Sequence, residues 1–139
     1  MSKEFLTPKK IITGKGAIED SIKYLAKMGE KPLIVTGRIV SELDAFKMLV
    51  SKLSENGLDC VIFKDITGEP TDVMIEEGLR VYRENKCDFL IGMGGGSPLD
   101  AIKAIAVTDV CGGKLSDYMG KEISGKFPPM AAIPTTAGT

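Results

Sequence analysis

The chain has 139 residues, 43% apolar and 27% charged, with a formal net charge of −1 at neutral pH, which is enough for one domain, residues 1–139, with a real core. Lysines are spread rather than blocked and no apolar run approaches membrane-spanning length, so neither nucleic acid nor a membrane is expected as partner. Histidine is absent, which removes the commonest ligand for iron or zinc and the commonest acid–base group, so metal chemistry by these residues alone is not expected. Met1-Ser2-Lys3-Glu4 lacks a signal-peptide core, and Cys60, Cys87 and Cys111 are an odd set without C-x-x-C spacing, so a cytoplasmic protein with reduced, mostly buried thiols is expected.

Phe5-Leu6 and Ile11-Ile12 read as short strands around Pro8, followed by a turn at Thr13-Gly14-Lys15-Gly16. A helix begins near Ala17, with Ile18, Ile22, Leu25 and Met28 on one face and Gly29 as its stop. Leu33-Ile34-Val35 is a buried strand ending at Thr36-Gly37. The next helix is expected over Ser41 to Asn56, its apolar stripe being Phe46, Leu49, Val50 and Leu53, with Gly57 ending it. Leu58 to Phe63 supplies another strand. Thr71 or Asp72 caps a helix running to about Asn85, with Ile75, Leu79 and Tyr82 inward. Phe89-Leu90-Ile91 is a buried strand, Ser97 an expected N-cap and Pro98 the expected first residue of a helix carrying Ala101, Ile102, Ala104, Ile105 and Ala106. Gly112 to Phe127 reads as loop or short helix, Met130 to Pro134 as a strand, and Thr135 to Thr139 as a turn.

Short apolar runs alternating with helices argue for an α/β fold with a mainly parallel sheet covered on both faces. Ligands of such sheets bind beyond the carboxyl ends of the strands, where Gly94-Gly95-Gly96-Ser97 and Thr135-Thr136-Ala137-Gly138-Thr139 both fall. A strand that breaks into glycines and restarts as a helix presents free amides and the positive end of a helix dipole, a seat for an anion. The pattern does not reproduce the dinucleotide fingerprint in its usual setting, and no Gly-Lys-Ser/Thr makes it a Walker loop. Glycines that only tighten a strand-to-helix turn would look the same; the hydroxyl-rich second turn, suited to sugar, phosphate or carboxamide, favours a ligand.

Together, Gly94-Gly95-Gly96-Ser97-Pro98-Leu99-Asp100 and Pro134-Thr135-Thr136-Ala137-Gly138-Thr139 resemble the turns of the iron-containing (group III) alcohol dehydrogenase family, over the whole chain but only the family's N-terminal half. The resemblance implies a Rossmann-like, dehydroquinate synthase-like N-terminal domain. The C-terminal helical domain, where an Asp and three His of the family hold a divalent metal, iron or zinc, is absent here. It assigns a dinucleotide pyrophosphate to Gly94, Gly95, Gly96 and Ser97, and cofactor-lining hydroxyls to Thr135, Thr136 and Thr139. Asp100 would face the nicotinamide ribose, although Ser97-x-x-Asp100 also matches a capping box. The threonines equally suit caps of a following element.

The resemblance also places Gly37 where NAD-preferring relatives have Asp, and Arg38 or Ser41 nearby would meet a 2′-phosphate, so NADP(H) is expected over NAD(H). A glycine ending a strand and a solvated arginine is the plainer alternative. Glu69 stands where relatives commonly have Asn, which sets an acid near that cofactor contact, and Lys103 either faces the phosphates or is solvated. The leading reading is a cofactor-holding domain without hydride transfer of its own, free to self-associate as a homodimer through an apolar face left uncovered. The zinc glycerol dehydrogenase and dehydroquinate synthase branch shares a glycine-rich turn but matches the threonine turn less well. A stand-alone nucleotide- or phosphate-binding module with a regulatory or assembly role is the alternative from another class. The chain stops inside a ligand-lining turn, which reads as a truncation.

Overall fold

Strands buried on both faces must be covered by helices on both sides, and the architecture follows from that requirement. In the computed structural model, which describes residues 16–114, 117 and 125–135, the order is α1 (Ala17–Leu25), β1 (Pro32–Val35), a 3-10 turn (Val40–Glu42), α2 (Asp44–Glu55), β2 (Val61–Phe63), α3 (Asp72–Glu84), β3 (Phe89–Gly94), α4 (Gly96–Cys111) and β4 (Met130–Pro134). The strands form a 4-stranded sheet in the order β2-β1-β3-β4, every neighbouring pair parallel. Every residue of β1 and β3, the central strands, is buried. Among the described residues no helix is long and apolar enough to cross a membrane.

Because side chains alternate across a strand, the sheet divides the apolar residues into two cores. Leu33, Val35 and Leu90 face Ile75 and Tyr82 of α3 and Ala101, Ile102 and Ile105 of α4. Ile34, Phe89, Ile91 and Met93 face Ile22 and Leu25 of α1 and Phe46, Leu49 and Leu53 of α2. α4 is the most deeply buried helix, and its alanines let it lie close to the sheet. Its one buried hydroxyl, Thr108 Oγ1, is satisfied by donating to Ala104 O at 2.8 Å. Arg83 Nε fastens α3 to α4 through Asp109 Oδ1 at 2.9 Å.

Several boundaries differ from the sequence expectation. α1 ends at Leu25, and two turn bonds, Lys27 N to Tyr24 O and Met28 N to Leu25 O, carry the chain on toward Gly29. The helix expected from Ser41 is divided: Leu43 takes an extended conformation with ψ 147° between the 3-10 turn and α2. α3 begins as expected, with Thr71 Oγ1 accepting from Met74 N at 3.2 Å. β3 runs on through Gly92 and Gly94, and the N-cap of α4 is Gly95 rather than Ser97, so Pro98 is its third residue. The side chain of Ser97 therefore makes no cap, and the Ser97–Asp100 capping box is not formed. The strands expected at Phe5-Leu6 and Ile11-Ile12 lie outside the described residues.

Candidate functional site

β1 leads through α2 to β2 on one side of it, and β2 leads through α3 to β3 on its other side. The outgoing connections thus diverge between β1 and β3, and a crevice opens at their carboxyl ends, the place where open parallel sheets take ligands. Thr36, fully buried one residue beyond β1, fastens the floor of this crevice. Its hydroxyl donates to Met93 O at 2.7 Å, and its amide donates to Phe63 O at 2.9 Å. One residue thereby ties together the ends of β1, β2 and β3.

The glycines of the β3–α4 turn have separable tasks. A Cβ on Gly92 would stand 3.0 Å from Pro98 O, and one on Gly94, where φ is +144°, would stand 2.9 Å from Pro98 Cγ. These positions are required by the close approach of α4 to β3. A Cβ on Gly96 would meet nothing within 4 Å among the described residues. No contact among the described residues calls for glycine there. The amides of Gly96 and Ser97 begin α4 with no side-chain cap and no acidic residue in its first turn. Among the described residues the amide donors and the positive end of the helix dipole thus carry no side-chain cap. Pro98, buried, has no N–H to satisfy.

β4 brings the second motif to the same place. Gly94 is paired with Pro134, and Thr135 N donates to Gly94 O at 2.9 Å. Thr135 is therefore a direct neighbour of the glycine turn; Thr136 and Thr139 lie outside the described residues. Asp100 is exposed one turn into α4 and makes no ion pair with a described residue. Lys103 is half-buried on the same helix, and Glu69 is exposed in the loop beyond β2.

At the end of β1 the arrangement departs from the sequence expectation in two respects. Ser41 is buried and its hydroxyl donates to Arg38 O at 2.7 Å, so its proton is committed to the backbone. Arg38 Nη2 is bound to Asp65 Oδ1 at 2.8 Å. Sequence reasoning did not single out Asp65, although an acid two residues beyond β2, facing the loop after β1, is the signal that would have found it. It also passed over Ile39, 83% exposed beside Arg38, a large aliphatic side chain left in water at the rim of the crevice.

The thiols are not arranged as nucleophiles. Burial pushes the Cys60 thiol up and raises Cys87 to about 11, away from the thiolate form at neutral pH. Cys60 and Cys87 are half-buried, whereas Cys111 is exposed, which corrects the expectation for that residue. Among the described residues no group of three or more His, Cys, Asp or Glu is placed to hold a metal ion.

Comparison with known proteins agrees with this geometry. Residues 8–139 match the family model described as iron-containing alcohol dehydrogenase. The NAD-dependent methanol dehydrogenase of Bacillus methanolicus is 35% identical over 141 residues, covering 100% of this chain and 37% of that protein. The crystal structure of a 1,3-propanediol oxidoreductase superposes with a TM-score of 0.89 at 32% identity, covering 95% of this chain and 35% of the other. A sulfoacetaldehyde reductase from Bifidobacterium kashiwanohense, solved in complex with NAD+, superposes with a TM-score of 0.78 at 29% identity, covering 91% of this chain and 34% of that one. The chain thus spans about a third of the length of the relatives it matches. With the parallel sheet, the glycine turn at its switch point and a family match over residues 8–139, the chain belongs to the iron-containing alcohol dehydrogenase family.

Proposed function

We propose that this chain is the dinucleotide-binding domain of an oxidoreductase acting on alcohols or aldehydes, and that it favours NADP(H) over NAD(H). The pyrophosphate sits at the first turn of α4, against the amides of Gly95, Gly96 and Ser97, with Gly94 shaping the turn and Thr135 beside it; by family resemblance the hydroxyls of Thr136 and Thr139 add cofactor contacts. Asp100 lies toward the nicotinamide ribose, and the adenosine lies toward Gly37, Arg38 and Ser41. The observation that carries this reading is the start of α4 without a side-chain cap, directly after a glycine turn at the carboxyl end of β3, where a Cβ on Gly96 would meet no described atom within 4 Å. The preference for NADP(H) rests on the absence of an acid at Gly37 and the presence of the Arg38 guanidinium beside it. The relatives named above include an NAD-dependent enzyme and an NAD+ complex, so this preference sets the chain apart from them.

The nicotinamide would supply hydride chemistry, and the residues here would bind and orient it. The family's divalent metal does not fit the donors present: the chain has no histidine, and among the described residues no group of three or more Cys, Asp or Glu is placed to hold it. The domain acts in the cytoplasm and associates with a second copy of itself.

Calorimetric titration of the chain with NADPH and, separately, NADH tests the reading. Tighter NADPH binding is expected. Tighter NADH binding would overturn the specificity while keeping the domain assignment, and binding of neither would overturn the assignment.

A further inference from the structure

We infer that Asp65 is a specificity-determining residue of the dinucleotide site, one that opposes a 2′-phosphate through its ion pair with Arg38. The inference rests on the dinucleotide reading above and adds a residue that neither motif contains.

The geometry that presents Asp65 is built by the sheet. Val35 and Phe63 are paired at the ends of β1 and β2, Thr36 N donates to Phe63 O at 2.9 Å, and Ile66 N returns a bond to Thr36 O at 3.3 Å. The segment containing Asp65 is thereby held against the end of β1 on both sides of that residue. Gly37 makes the approach possible, since a Cβ there would stand 3.1 Å from Ile66 O. The same glycine that leaves β1 without an acid of its own thus admits an acid from β2. Its carboxylate reaches Arg38 Nη2 at 2.8 Å.

Both partners are well exposed, 71% for the Arg38 side chain and 52% for that of Asp65, so the pair contributes little to stability. Its importance is for whatever charge arrives beside it. A 2′-phosphate brings a charge of about −1.5 to −2 and must share Arg38 with a carboxylate already bound to it. A 2′-hydroxyl is neutral and can donate a hydrogen bond to that carboxylate. Asp65 therefore weakens NADP(H) and spares or assists NAD(H), narrowing the preference that Gly37 and Arg38 set.

The test is Asp65→Asn in the 139-residue chain, titrated with NADPH and with NADH at low and at high ionic strength. The NADPH affinity rises roughly fivefold to tenfold at low salt, the NADH affinity stays level or falls, and the difference shrinks at high salt because the pair is exposed. Asp65→Ser, which also removes the charge, shifts the ratio in the same direction. A loss or gain shared equally by both cofactors would show a structural role only and overturn the inference while leaving the dinucleotide reading intact. Failure of the unsubstituted chain to bind either cofactor would overturn both.

Discussion

Replacing Gly94 and Gly96 singly by alanine separates the part of the β3–α4 turn that packs from the part proposed to bind. At Gly96 an added methyl meets no described atom within 4 Å, and the residue is already helical, so alanine stabilises the fold by lowering the conformational entropy of the unfolded chain. That gain is about 0.5–1 kcal/mol, a rise in Tm of roughly 2–4 °C. On the proposed reading the same methyl would obstruct a pyrophosphate oxygen approaching the Gly96 and Ser97 amides. Losing one hydrogen bond to a charged group costs about 1.5–3 kcal/mol, or about tenfold to a hundredfold in Kd for both NADPH and NADH. At Gly94, by contrast, φ of +144° and a Cβ 2.9 Å from Pro98 Cγ bring both backbone strain and overlap. Each contributes about 1–3 kcal/mol, enough to lower Tm markedly. Thermal unfolding followed by circular dichroism and calorimetric cofactor titration read the two effects. Gly96→Ala that binds dinucleotide as tightly as the unsubstituted chain would refute the pyrophosphate site, and Gly94→Ala with unchanged Tm would refute the packing argument.

Gly37→Asp should weaken NADPH binding at least tenfold while NADH loses much less, because the new carboxylate repels a 2′-phosphate and accepts from a 2′-hydroxyl; the 3.1 Å gap between a Cβ and Ile66 O means the loop must yield slightly to admit it. Equal loss for both cofactors in parallel titrations would count against the specificity argument. Stability should also decline in alkali. Burial raises Cys87 to about 11 and Tyr82 to about 12, above their unfolded values of roughly 8.5 and 10, so the folded chain holds protons that the unfolded chain releases. The stability is therefore fully present below about pH 8.5 and is lost as pH rises toward 12. Urea midpoints measured from pH 6 to 11 should stay level at first and then fall, with a smaller fall in Tyr82→Phe; a flat profile for the unsubstituted chain would refute the assignment.

Much of the fold was legible because its signals are local. Thr71 caps α3 through an amide three residues away, and the stripes Ile22–Leu25 and Phe46–Leu49–Leu53 turn inward at helical spacing. Leu33-Ile34-Val35 and Phe89-Leu90-Ile91, without alternation, announced strands covered on both faces. The glycine turn was legible for the same reason, since a strand, a run of glycines and a helix follow one another directly. The start of that helix was misplaced by two residues: Ser97 has the chemistry of a cap, but the approach of Pro98 to Gly92 and Gly94 begins α4 at Gly96 and gives Gly95 that position.

The sequence by itself determined the class of fold, the order of the described elements and the glycine turn between β3 and α4, because propensity, periodicity and capping act over a few residues. Only the tertiary structure decided that β4 sets Thr135 beside Gly94, that a Cβ on Gly96 meets no described atom where Gly92 and Gly94 face Pro98, and that Asp65 meets Arg38. Those contacts depend on strand order and register, which arise when helices on both faces bury the sheet and bring distant segments side by side. A pattern confined to neighbouring residues carries no information about which strand end will lie next to which.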